Sequence, residues 1–246
     1  MSNAPNHARI MLIALLLGIL ALAGLSGLSA GDARKEGLAD QANTPRVVNH
    51  TSGLRVSSAI VTEGPVQQFK LSLVNQSSRD INGYVLTIGN LSITTDFASI
   101  GEVMEPGGTR HEIIPLANFD TAASDGPRLE RVIAIAAVSF GGLTGEGDSR
   151  ELHMLLERHR GIKDQVETLL SRLKGMRARS SPPSIEELEE VAVKLSSEVD
   201  RANKSPIRAE GRRWISDEFR KRLRESKGQA KIDDLVAFYE QILSNI

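Results

Sequence analysis

The chain contains no cysteine. Disulfides, thiolate metal sites, thiol nucleophiles and a lipid-modified cysteine anchor are all excluded by that one absence. An exported protein without disulfides has to stand on its packed core, which two regions of about 100 residues each can supply. Aromatic residues make up only 4% of the chain, so the core has to be built from Ile, Leu, Val and Ala. Neither charge dominates: 30 Lys and Arg stand against 31 Asp and Glu. A net charge of −1 gives no global pull toward nucleic acid or anionic lipid, and no nucleic-acid partner is expected. Catalytic signatures are scarce as well. There is no Gly-x-Ser-x-Gly elbow for a serine hydrolase and no dinucleotide or nucleotide fingerprint, so no cofactor is expected.

What is present begins with an apolar run. His7 and Arg9 precede Ile10–Leu28, which has no charged residue, and small residues follow (Ser26, Gly27, Ser29, Ala30, Gly31) before charge returns at Asp32. A basic start, an apolar middle and a small-residue exit describe a secretory signal peptide. The run is also long enough to span a bilayer as an uncleaved anchor. In either case Arg9 stays cytoplasmic and the remainder is exported. Residues 1–30 are therefore read as signal or anchor, and residues 31–45 as a polar linker.

From residue 46 the hydrophobic period is two. The sequence predicts strands over Leu54–Thr62, Gln67–Asn75, Ile81–Ile88, Leu91–Thr95, Arg110–Ile114 and Arg131–Phe140. One face of the first is expected to hold Leu54, Val56, Ser58, Ile60 and Thr62, one face of the second Phe69, Leu71 and Leu73, and one side of the third Tyr84, Leu86 and Ile88. Glu63-Gly64-Pro65, Asn75–Ser78, Gly89-Asn90 and Glu105–Gly108 carry turn chemistry between them. Short strands at this spacing with no helix among them argue for an antiparallel sandwich. Leu116–Leu129 reads as a long loop, of the length that functional loops have.

At Asp148 the period becomes helical. Leu152, Leu155, Leu156, His159, Ile162, Val166, Leu169, Leu170, Leu173 and Met176 recur at three- and four-residue steps. Asp148 with Glu151, and Ser184 with Glu187, make capping boxes. Ser205-Pro206 places a cap before a first-turn proline. Four helices follow, opening near Asp148, Ile185, Ile207 and Ile232, and they suit a small bundle or two hairpins packed on the sheets. Over 148–246 there are 20 Lys and Arg against 18 Asp and Glu, so this half is not basic.

The stretch LSLVNQSSRDINGYVLTI (Leu71–Ile88) and the closing IAAVSFGGLTGEGD (Ile135–Asp148) resemble the immunoglobulin- or fibronectin-like domains of secreted bacterial proteins. Such domains often carry an Asn-x-Ser turn after a hydrophobic strand and end in a strand with a glycine-containing hairpin. The resemblance covers about residues 46–148 and implies protein, carbohydrate or wall-polymer binding, or a spacer role. The expected architecture is α+β: an immunoglobulin-like antiparallel β-sandwich over 46–147, then a helical region of about four helices over 148–246, after the N-terminal signal or anchor helix.

Candidate chemistry is dispersed. Gly141–Gly147 follows a strand and precedes a helix, the context of an anion cradle, but it lacks a Walker lysine and carries Glu146 and Asp148 where phosphate would lie. A flexible hairpin-like turn whose acidic end caps the first helix is expected instead. His111–Pro115 begins like a zinc-protease motif, but Pro115 replaces the second histidine and the segment alternates like a strand. His153 and His159 are six apart, about 120° off a common helix face, so both are assigned surface or half-buried structural roles. Asp120 and Asp125, with Glu130 or Glu146, are candidate calcium ligands in a sandwich loop, without EF-hand spacing. Arg208–Lys227 is locally basic, and Trp214, Arg212 and Arg213 are candidate contacts for an anionic polymer or membrane surface, against a helix that packs Trp214 and Phe219 inward. Asn49, Asn75 and Asn90 fit the glycosylation acceptor pattern, which matters only in a eukaryotic host.

Three functions follow as expectations. The first is an exported or membrane-anchored, non-catalytic binding or structural module with a helical association region. Its partner would be another envelope protein or a wall polymer, with membrane contact through residues 10–28 if that run is uncleaved. The second is a hydrolase with a dispersed acidic site near the β–helix junction, where Asp120, Asp125, Glu146 and a histidine converge. The third is a helical scaffold or adaptor with an exposed apolar groove.

Overall fold

The structure is a computed structural model of the chain. It describes residues 45–62, 68–115, 132–202, 205–226 and 231–246. The expected signal or anchor, the linker up to residue 44, and the loop that holds Asp120 and Asp125 lie outside the described residues.

Among the described residues, eight strands precede four helices. The strands are β1 (Arg46–Asn49), β2 (Leu54–Thr62), β3 (Gln68–Asn75), β4 (Ile81–Ile88), β5 (Leu91–Asp96), β6 (Thr109–Pro115), β7 (Val132–Phe140) and β8 (Thr144–Gly147). The helices are α1 (Ser149–Arg177), α2 (Ile185–Ala202), α3 (Pro206–Glu225) and α4 (Ile232–Asn245). One sheet has the order β1-β7-β4-β5, and β8 shares the free side of β7 with β1. The other has the order β2-β3-β6. All pairings are antiparallel except β1 with β7, which is parallel. The fold is therefore mixed: mostly antiparallel sheets followed by four helices.

The two sheets share one apolar core. Leu54, Phe69, Leu71, Leu73 and Ile114 of the three-stranded sheet pack with Tyr84, Leu86, Ile88, Ile133 and Ile135 of the five-stranded one. Alternation on β3 and β4 follows the sequence reading. On β2 it does not. An extra residue, Ser57, sits between the Val56–Leu73 and Ser58–Ser72 pairs. A β-bulge moves every later side chain to the opposite face. Ala59 and Val61 accordingly pack on the core.

The five-stranded sheet is covered on both faces. Its outer face, through Val85, Ala136 and Ala137, meets Leu152 and Leu155 of α1. Three layers result: the three-stranded sheet, the five-stranded sheet, and the helices, with a separate core formed by α1 to α4. Two bulges aim the five-stranded sheet at the helices. Ala136 is the extra residue on β7, and its carbonyl accepts from the Asp148 amide at 2.7 Å. Asn82 is the extra residue on β4, and its side-chain amide donates to the Asn245 carbonyl at 2.9 Å. One bulge thus holds the start of α1 and the other the end of α4.

The caps follow local chemistry. Asp148 accepts from the amides of Arg150 and Glu151, but Glu151 turns to the Ser92 hydroxyl instead of closing a reciprocal box. Ser184 and Glu187 do exchange both bonds, at 2.9 and 3.3 Å. Ser205 caps α3 ahead of Pro206. The hairpin-like turn expected over Gly141–Gly147 takes a definite form: Gly141–Leu143 turn, and Thr144–Gly147 pair back on β7 as β8. Gly145 and Gly147 lie so close to β7 that an added Cβ would sit 2.4 Å from the Val138 carbonyl and 2.2 Å from that of Ala136. Side chains are excluded there by contact, not by a ligand.

Candidate functional site

The stretch where the sheet meets the helices concentrates the buried polar chemistry. At the end of β5, Asp96 turns its carboxylate toward the helical layer. His159 Nε2 of α1 lies 3.2 Å from Asp96 Oδ1, within ion-pair reach though out of line for a hydrogen bond. Arg158 Nε lies 3.2 Å from the other oxygen, and its guanidinium also pairs with Glu210 of α3. The Ser99 amide donates to Asp96 Oδ1 at 3.1 Å. His159 is 0% exposed and the Asp96 side chain 6%. Burial by itself pushes the Asp96 carboxyl up, but His159, Arg158 and the Ser99 amide outweigh it and hold the group below the usual carboxylate range.

Two helices cross beside this cluster. An added Cβ on Gly161 of α1 would lie 2.1 Å from the Arg208 carbonyl of α3, and one on Gly211 of α3 would lie 2.2 Å from the Arg158 carbonyl of α1. The backbones touch through both glycines. Flanking charges fix the crossing: Arg208 and Arg212 both reach Asp164 at 2.7 Å. A buried bond from Gln165 to the Ser216 hydroxyl (3.0 Å) and a second to the Leu195 carbonyl (3.2 Å) tie α1 to α3 and α2.

The chain matches no family model, no curated protein and no solved structure. Function has to be read from the residues themselves.

The sequence-predicted candidates land as follows. Glu146 is on β8, where its carboxylate accepts from the Ser52 amide (2.7 Å), the Ser52 hydroxyl (2.6 Å) and the Gly53 amide. Burial acts to raise its carboxyl, and these three donors lower it below the usual value. Glu146 therefore bolts the β1–β2 connection to β8. Asp120, Asp125 and Glu130 lie outside the described residues. Among the described residues, no three His, Asp or Glu side chains are grouped to hold a metal. Arg212 faces Asp164 inside the helical layer, Arg213 is exposed, and Trp214 is half-buried against the helical core. The three do not form one outward patch. His50, His111 and His153 are exposed, and His111 contacts the Ser72 hydroxyl at 2.8 Å.

The expectation of a surface or half-buried His159 is corrected by its complete burial. The available signal was its place in the apolar stripe between Leu155 and Ile162, since a polar residue there needs a buried partner. Asp96, sixty-three residues away, carried no signal, because only tertiary packing brings β5 to α1.

The glycine-rich run does present amides to an oxygen. Gly142 and Leu143, both with positive φ, donate to the Ile246 main-chain oxygen at 2.7 and 3.0 Å. The acceptor is the chain itself. Surface concavity lies instead beside α2. A groove of about 420 Å³ runs between α2 and α3, past Ala192, Val193 and Leu223. Another of about 580 Å³ runs between α1 and α2, past Gly175, Met176 and Val191. Val193, between them in sequence with Ala192, is 60% exposed.

A carboxylate–imidazole pair is a component of acid–base machinery, which needs the pair within reach of a substrate proton. Here both groups are enclosed between sheet and helices. What the arrangement does is lock two layers together. Removing one partner of such a buried pair costs about 3–5 kcal/mol.

Proposed function

We propose that the chain is an exported, non-catalytic binding module, in which an immunoglobulin-like sandwich and a helical layer act as one rigid unit that presents surface to a partner. The observation that carries this reading is the inward use of its charged groups at the β–helix junction. Asp96, His159, Arg158, Asp164 and Glu146 pair across element boundaries with charged side chains or main-chain amides. Groups held in that way stiffen a scaffold. The sandwich type is supported by two sheets that share a core through inward-facing alternate residues. Export rests on the apolar run before residue 31. No helix among the described residues is long and apolar enough to cross a membrane.

Helical association is the part supported by α2. That helix has grooves on both sides and an exposed valine, features of contact surfaces rather than of closed cores. An envelope protein or wall polymer is the proposed partner.

The test is a tagged full chain expressed in its native host, fractionated and cross-linked, with the N-terminus of the recovered species sequenced. Recovery from the envelope or medium, cross-linked to one component, supports the reading. Recovery from the cytosol, or turnover of ester, peptide or glycoside substrates by the purified chain, overturns it.

A further inference from the structure

Edge strands expose unpaired main-chain groups, and natural sheets usually blunt them with charge, proline or bulges. Three long edges in this molecule can be compared. β2 is interrupted by its bulge at Ser57. β6 carries Arg110, His111 and Glu112 and ends on Pro115. β5 has neither proline nor bulge. It reads Leu-Ser-Ile-Thr-Thr-Asp, pairs with β4 in unbroken register, and its one charge, Asp96, is turned inward to His159 and Arg158.

The register says which groups are free. A two-residue turn, Gly89-Asn90, joins the Ile88–Leu91 closing pair. In such a hairpin the main chains of Leu91, Ile93 and Thr95 bond to β4, and those of Ser92 and Thr94 point away from it. No main-chain partner for Ser92 or Thr94 is present on that side among the described residues. Two N–H and two C=O groups thus stand in line, at the spacing of an extended backbone. Leu91, 45% exposed, opens the strand, and Ile93 packs partly on the inter-sheet core.

At the far end, Arg110 of β6 stacks on the ring of Phe97, the residue after β5, at 5.2 Å. It has no carboxylate partner among the described residues. An occupant is described by these features together: extended main chain for Ser92 and Thr94, apolar side chains at alternate positions beside Leu91 and Ile93, and a carboxylate for Arg110. A second copy of β5 supplies the first two but not the third, because its only acid is Asp96, already held inside.

We propose that the β5 edge is a peptide-docking site, which takes an extended acidic segment of another protein as an added antiparallel or parallel strand. This deepens the reading of the chain as a binding module and rests on it. The experiment below uses the purified full chain in detergent, so it can fail while the fractionation test succeeds, or the reverse.

The probe is a labelled synthetic peptide of alternating Val and Thr with Glu at each end. Fluorescence anisotropy reports binding, and amide hydrogen exchange reports Ser92 and Thr94. The expected result is saturable binding with both amides protected. Thr94→Pro removes an outward N–H without touching the β4 ladder, and is expected to weaken binding about tenfold. Arg110→Glu, distant from those amides, is expected to lose the Glu-ended peptide and to take up a Lys-ended version, which keeps the test valid if Thr94→Pro fails to fold. Absence of saturable binding overturns the proposal. So does binding that leaves both amides unprotected, or binding that Arg110→Glu leaves unchanged. Protection of Ser92 and Thr94 that appears without peptide as protein concentration rises also overturns it, in favour of a second copy.

Discussion

The two sheets share one core but differ in what lies behind them. On the three-stranded sheet, β3 alternates: Phe69, Leu71, Leu73 and Asn75 are buried, and Lys70 is exposed. On the five-stranded sheet, seven of the eight β4 residues are buried, because α1 covers the opposite face. The bulges differ in the same way. Ser57 interrupts an open edge, whereas Ala136 and Asn82 turn main chain and side chain toward helix ends. One sheet is a wall. The other is the central layer to which the helices are fastened.

That difference can be broken at β7. Ala136→Asp places a charge between sheet and helix with no partner, and the chain is expected not to fold. Lys70→Asp, on the exposed face of the other sheet, is expected to change stability by less than about 0.5 kcal/mol. Circular dichroism melts of the two variants measure the contrast, and equal effects would mean that the outer face of the five-stranded sheet is not covered.

The fastening itself is tested next. Asp96→Ala leaves Arg158 and His159 without their shared carboxylate and is expected to cost about 3 kcal/mol in chemical denaturation. Its pH dependence has a definite sign. Asp96 has a folded value below its ordinary 3.8, so its contribution is fully present above that pH and is lost as pH falls through the lower folded value. The wild-type chain is expected to lose stability more steeply below pH 3.8 than the variant does. Parallel curves for the two would contradict the pairing.

Helix contacts give smaller effects. Gly161→Ala and Gly211→Ala each force a methyl group against a carbonyl and are expected to destabilise by about 1–3 kcal/mol, in spite of alanine's better helix propensity. Gly175→Ala, where an added Cβ meets nothing within 4 Å, is expected to stabilise by about 0.5–1 kcal/mol. The opposite signs within one helix, read from melting midpoints, separate close backbone contact from propensity. Most local is the Ser184→Ala change, which removes one arm of the reciprocal cap of α2 and is expected to cost about 1 kcal/mol. Faster amide exchange confined to the first turn of α2 would be its signature.

Much of the fold was legible. The strands other than β1 and β8, and all four helices, carry periodic apolar residues with turn or cap chemistry at their ends. β1 and β8 are four residues each, too short for a period to register, and β8 is half glycine. The phase of β2 after Val56 was misread because a bulge leaves no mark in hydrophobicity. The candidate site was less legible. Glu146 stands out in the sequence by its charge, but its engagement by Ser52 and Gly53 depends on packing between distant segments. Asp96 and His159 were not paired in sequence, because nothing local links a strand end to a helix position sixty-three residues later.

The sequence by itself determined the elements: which segments are strands, which are helices, where α2 and α3 begin, and that no thiol chemistry occurs. These depend on side-chain period and on caps a few residues away. Tertiary structure alone decided which sheet the helices cover, why Gly161 and Gly211 are glycine, and where Asp96 finds its partners. Those depend on distances between residues far apart in the chain, and a bulge of one residue is enough to redirect them.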